Sequence, residues 1–104
     1  MSAQFKAFRN PYKASAKGSP YLVVLQSDLL DTYPAVMVAP LQPIASSEGP
    51  SRLRPRFEVE GAPYVLNVLE MAPVRRAHLG APVAELDRFV VINAYDALIS
   101  GAYA

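Results

Sequence analysis

The sequence has no cysteine, no tryptophan and a single histidine. Without cysteine there is no disulfide, no thiolate nucleophile and no cysteine-ligated zinc, which suits a reducing compartment and predicts a cytoplasmic protein. With His78 alone, a Ser-His-Asp triad or a zinc site would have to be built around one ring from partners scattered along the chain. Charged residues are scarce at 18%, and ten Lys and Arg against nine Asp and Glu leave a formal charge of +1. That balance supplies no basic field strong enough to hold nucleic acid unaided. No Gly-rich phosphate loop is present, and no apolar run approaches the roughly 20 residues of a membrane span. The start, Met1-Ser2-Ala3-Gln4-Phe5-Lys6, has no apolar stretch of signal-peptide length. The chain therefore reads as soluble, unexported and without membrane contact. Catalytic residues, metal and cofactor are expected to be absent.

What is present is a high apolar content, 52% of 104 residues. That length fits one compact core and is too short for two ordinary domains, so residues 1–104 are read as a single domain. Little charge on so small a protein suggests surface covered by a partner.

The first two-thirds are punctuated by proline and glycine and carry short β-rich runs. The expected strands are Gln4–Arg9, Tyr21–Gln26, Val36–Leu41, Arg56–Val59 and Tyr64–Leu69. Glu60-Gly61-Ala62-Pro63 separates the last two and predicts a hairpin with one buried face, since Phe57 and Val59 alternate with Arg56, Glu58 and Glu60. Residues 42–55, with three prolines, three serines and a glycine, are too irregular for a strand or a long helix and read as an exposed loop or small flap. From Asp87 onward proline disappears. Asp87 is a suitable N-cap for a helix running to about Ser100, with Gly101 suited to ending it.

Within that helix the only polar positions from Phe89 to Ser100 are Asn93, Asp96 and Ser100, whose spacing of three and four places them on one narrow face. The remaining apolar circumference is wider than a single sheet covers. Burial on a second side, as in a homodimer, and a helix wrapped by its own barrel both account for it.

The segment Pro20-Tyr21-Leu22-Val23-Val24-Leu25-Gln26-Ser27-Asp28-Leu29-Leu30-Asp31 resembles the signature of the CcdB toxin family, in which a strand ends in Gln-Ser-Asp followed by two aliphatics and Asp. Further blocks agree in the same order: Gln4-Phe5-Lys6, Met37-Val38-Ala39-Pro40-Leu41, Met71-Ala72, Leu79-Gly80, Asn93-Ala94 and Ile99-Ser100-Gly101. No single block is a chemical motif; the collinear order over essentially the whole chain carries the resemblance. It implies a mainly β fold with a C-terminal α-helix, namely a twisted antiparallel sheet related to SH3-like barrels, a small three-stranded flap, and assembly as a homodimer. It also implies a toxin of a toxin-antitoxin system that binds the A subunit of DNA gyrase and traps cleaved DNA. A CcdA-type antitoxin with a disordered tail would hold it inactive, and operator DNA would be bound only by toxin and antitoxin together.

Carried over by position, the resemblance implies a gyrase surface made of Ser27, Leu29 and Leu30 after the second strand, and Asp96, Ile99, Ser100, Gly101 and Ala102 at the helix end. The sequence departs from the family there. Well-studied members end in Trp-Gly-Ile, whereas this chain has Ser100-Gly101-Ala102 followed by Tyr103 and Ala104, which removes an aromatic anchor of the type most common at interface hot spots. Two arginines found before the Met-Val strand in some relatives are Ala35 and Val36 here, and the segment after Met71-Ala72 has become Pro73-Val74-Arg75.

Ser27, Asp28 and Asp31 also suit backbone capping at a strand end. As a metal pair the two aspartates fall short of the roughly six oxygens a hard cation needs. Two other functions stay open: a decayed or retargeted dimer that no longer poisons gyrase, and an endoribonuclease like the MazF toxins, using Arg75, Arg76 and His78.

Overall fold

Side chains alternate between the two faces of a β-strand, so a strand covered on both sides is apolar throughout. Tyr21–Val24 is such a strand. In the computed structural model, which describes residues 3–46 and 49–101, all four of its residues are buried. Tyr21 and Val23 join Ala39, Leu41 and Leu66 in a cluster that includes Val91 and Ala94 of the terminal helix. Leu22 and Val24 point the other way and pack with Phe8, Val36 and Val38.

The elements are β1 (Lys6–Arg9), α1 (Lys13–Ala16), β2 (Tyr21–Val24), β3 (Ala35–Pro43), β4 (Arg56–Val59), β5 (Ala62–Leu66), β6 (Ala72–Arg75), β7 (Pro82–Glu85) and α2 (Arg88–Ser100). The strands pair antiparallel in the order β4-β5-β3-β2-β1-β7, with β6 added to β3, and curl into a nearly closed barrel. This is the mainly β body with a C-terminal helix that the sequence predicts. The hairpin is also as expected: Val59 pairs with Ala62, and the two loop residues Glu60 and Gly61 both have positive φ, 52° and 84°, the backbone of a type I′ turn.

Several boundaries differ from expectation. The first strand starts at Lys6 rather than Gln4, because Phe5 has a left-handed φ of 65° that breaks the extended run. The second ends at Val24 rather than Gln26, where the chain turns. The third runs to Pro43 and takes two residues from the expected loop, the rest of which holds a 3-10 turn, Ile44–Ser46, and a lone bridge between Ser51 and Arg54. The strand expected over Tyr64–Leu69 ends at Leu66, because the Asn67 carboxamide accepts from the Leu69 amide at 3.1 Å and starts a 3-10 turn, Val68–Glu70. The helix α1 and the strands β6 and β7 were not expected from the sequence. The two strands contain Pro73 and Pro82, and proline, lacking an amide donor, is best accommodated at the edges of sheets, which is where both strands lie.

A polar cluster ties the tip of the β4–β5 hairpin to β1 and β2. At the hairpin tip the Glu60 carboxylate accepts from the Tyr21 hydroxyl of β2 and, at 2.8 Å, from the Arg9 guanidinium of β1. The Tyr21 ring meets Tyr64 edge to face at 5.3 Å. Hydrogen bonding to Glu60 and burial push the Tyr21 phenol up to about 12, while Tyr21 and Arg9 hold the Glu60 carboxyl below its ordinary value. A raised phenol pKa favours the neutral form in the fold, so this contribution is complete below pH 10 and is lost as pH rises toward about 12. The depressed carboxyl contributes above its ordinary value of 4.5 and is lost on acidification. In a tyrosinate absorbance titration, one of the six tyrosines should ionise near pH 12 in the wild type. That midpoint should fall toward 10 in Glu60→Gln.

Candidate functional site

A loop that satisfies its polar groups inward leaves its apolar side chains outward, and the chain after β2 does this. Gln26 accepts from the Met37 amide at 3.3 Å, and its carboxamide donates to the Leu30 carbonyl at 3.5 Å. Ser27 caps a 3-10 turn, Asp28–Leu30, by accepting from the Leu29 amide at 3.2 Å. One Asp28 carboxylate oxygen accepts from the amides of Ala3 and Gln4, at 3.0 and 3.2 Å. Ser27 and Asp28 are thus backbone-capping groups, and what the turn presents is apolar: Leu29 is 91% exposed, Tyr33 58% and Leu30 41%. Tyr33 had not been singled out from sequence, although exposed aromatics are the residue type most often found at protein interfaces.

The second set of residues lies on α2. Asp87 caps the helix by accepting from the amides of Phe89 and Val90, and Gly101 closes it at φ 68°, donating to the Ala97 carbonyl at 3.1 Å. Both ends are as the sequence predicts. The buried stripe is narrow, with Val91 and Ala94 inside and Leu98 partly buried behind them. Beside it Phe89 is 70% exposed and Ile99 60%, and Val90 and Tyr95 are also exposed. The alternative of a helix wrapped by its own barrel is thereby excluded. Asn93 and Ser100 face solvent and Asp96 is half-buried. The Ser100 hydroxyl donates back to the Asp96 carbonyl at 2.8 Å. Ala102 lies outside the described residues.

A cleft of about 210 Å³ joins the two regions, with Leu25, the residue after β2, facing Ile92 and Tyr95 of the helix. A neighbouring hollow joins Asp28 to Asp87 and Arg88. The turn therefore adjoins the start and middle of α2. Ile99 lies about 16 Å beyond Arg88 along an axis rising 1.5 Å per residue, and one helical turn beyond Tyr95, which lines the cleft with Leu25.

Other candidate groups have structural partners. His78 Nδ1 lies 2.8 Å from the Tyr12 hydroxyl, and the Arg76 guanidinium donates to the carbonyls of Tyr33 and Leu30. These contacts do not assemble an RNA-cleaving centre. Among the described residues no group of three or more His, Asp or Glu could hold a metal ion, and no helix is long and apolar enough to cross a membrane.

A family model described as CcdB protein matches residues 4–101. The chain belongs to the CcdB family. No curated protein matches it. CcdB proteins are toxins of toxin-antitoxin systems that act on DNA gyrase and are partnered by a CcdA antitoxin, typically as dimers; the toxin acts by binding and is not itself an enzyme. In this CcdB-family chain Leu29 stands out in solvent while Leu41 is fully buried in the core. Leu29→Glu should change the unfolding free energy by no more than about 0.5 kcal/mol. Leu41→Ala, in the core, should cost about 2–5 kcal/mol. Urea denaturation of both variants checks the contrast.

Proposed function

We propose that this chain is a gyrase-poisoning toxin: a cytoplasmic homodimer, one domain per chain over residues 1–104, that binds the A subunit of DNA gyrase and stabilises the cleaved-DNA complex. It is neutralised by a CcdA-type antitoxin and binds its own operator only together with that antitoxin. It uses no metal, cofactor or catalytic residue. Beside family membership, one observation carries this reading: apolar side chains stand exposed at the positions matching the family's gyrase contacts, with Leu29 at 91% and Ile99 at 60%. Apolar groups clustered on the surface of a small protein mark an interaction site.

The contact surface comprises Ser27, Leu29 and Leu30 from the turn and Asp96, Ile99, Ser100, Gly101 and Ala102 from the helix end. A two-fold partner supports its assembly, because an isologous interface brings two copies of one surface patch together. It would cover apolar helix surface on Phe89, Val90 or Tyr95 and set two helix ends side by side. Sedimentation at micromolar concentration should show a species of twice the chain mass; a single-chain species counts against the dimer.

Ser100 favours a second reading, a retargeted dimer that no longer poisons gyrase. Its hydroxyl is turned back onto the Asp96 carbonyl, where well-studied members offer a tryptophan. Gly101 decides between the two. Its left-handed φ of 68° disfavours any side chain, yet the space around it is open, so a partner's atoms could approach its backbone closely. Gly101→Glu adds strain of about 1 kcal/mol and a charge that must be desolvated on binding. The dimer should survive, because the buried helix residues lie upstream. The wild type should stabilise gyrase-cleaved DNA and Gly101→Glu should not. Equal activity of the two proteins would show that the contact surface is misplaced, and inactivity of both as antitoxin-binding dimers would establish the retargeted reading.

A further inference from the structure

We infer that Arg76 is the positioning residue of the Leu29–Leu30 surface, holding the turn that carries it from the opposite side of the β3–β6 ladder. The inference rests on the reading of that surface as a gyrase contact. Ala35 pairs with Arg75 at the end of the ladder, so Arg76 stands one step beyond it, beside the chain entering β3. From there it takes three carbonyls of one loop: its amide donates to Pro34 at 2.8 Å, Nε to Tyr33 at 3.1 Å and a terminal guanidinium nitrogen to Leu30 at 3.2 Å.

Those carbonyls belong to the residues that present the apolar patch. Within the loop the amides of Leu30, Asp31 and Tyr33 donate to the carbonyls of Ser27, Asp28 and Leu30 at 3.0–3.2 Å, which makes a tight but short turn of its own. Asp28 anchors the start of the turn on the amides of Ala3 and Gln4, and Arg76 anchors its end. A guanidinium has several donors in a fixed planar fork and fixes two carbonyls at once, whereas an ammonium has no such geometry. Holding Leu30 and Tyr33 through their carbonyls fixes the course of the backbone from which Leu29, Leu30 and Tyr33 project before any partner arrives. The ordering cost is then met in folding rather than in binding.

The experiment compares wild type, Arg76→Ala and Arg76→Lys by amide hydrogen exchange and by titration of gyrase-mediated DNA cleavage. In Arg76→Ala the amides of Leu30, Asp31 and Tyr33 should exchange about tenfold faster, the scale expected for lost charge-assisted hydrogen bonds, while those of β3 and β6 keep their protection. The toxin concentration for half-maximal cleavage should rise about tenfold with the plateau unchanged, and Arg76→Lys should recover part of both effects. Unchanged turn exchange overturns the inference, as does loss of ladder protection together with the turn, or an unchanged half-maximal concentration in an active toxin. A wild type that leaves gyrase untouched refutes the gyrase reading alone, and the exchange rates still decide whether Arg76 holds the turn.

Discussion

Strand β3 is hydrogen-bonded along both edges: β2 lies against Val38–Leu41 on one side, while β6 covers Ala35–Val38 and β5 covers Leu41–Pro43 on the other. Two strands share that second edge because Pro40 lies between them. A residue in an antiparallel ladder directs its amide and its carbonyl to the same neighbour, and the Pro40 carbonyl accepts from the Asn67 amide at 3.0 Å. The missing proline N–H therefore falls on this edge, in the gap where β5 gives way to β6. The chain fills the gap with the 3-10 turn Val68–Glu70. Val68 is fully buried, and this turn is the element on which α2 chiefly rests. Asn67, the one buried polar side chain among the described residues, is satisfied there by Gln42, Glu70 and the Leu69 amide. A break forced by one imino acid thus sets the seat of the helix.

The polar and apolar parts of the protomer end in different conditions. Glu60, Tyr21 and Arg9 close on one another, Asp28 and Arg76 close on backbone groups, and both ends of α2 are capped. Large apolar side chains are left exposed beside them: Leu29, Tyr33, Phe89 and Ile99. Burial of such side chains is worth roughly 25 cal/mol per Å², and it requires no polar group to be uncoupled first. The proposed association would therefore draw on hydrophobic contact more than on charge, the net charge being only +1.

Local signals in the sequence were sufficient where local chemistry decides the structure. The Asp87 cap, the Gly101 terminus and the Glu60-Gly61 hairpin follow from residues adjacent in the chain, and the structure contains all three. The strands β6 and β7 escaped notice because Pro73 and Pro82 argue against strands, and only their position at sheet edges, a property of the whole fold, admits them. The positive φ of Phe5 was equally invisible: its amide donates to Val24 at 2.7 Å and its carbonyl accepts from Leu86 at 2.9 Å, partners distant in sequence. The candidate site followed the same division. The capping by Ser27 and the helix end at Gly101 could be recognised from local chemistry, their place in the candidate site came from the family resemblance, and the hold of Arg76 on Leu30 and Tyr33, spanning more than forty positions, leaves no trace in either segment alone.

Position 100 shows how far folding constrains the candidate surface. Val91, Ala94 and Leu98 supply the buried stripe of α2, Asp87 starts the helix, and Gly101 ends it with a backbone conformation that owes nothing to the preceding side chain. Ser100 is exposed, so the core would accept a tryptophan there as readily as a serine. The Ser100 hydroxyl is satisfied within the helix, at the Asp96 carbonyl, so the packing of α2 sets no limit on the size of the side chain at this position. If this helix end is a contact surface, a tryptophan and a serine there would differ in the partner surface they fit and not in the barrel they stand on.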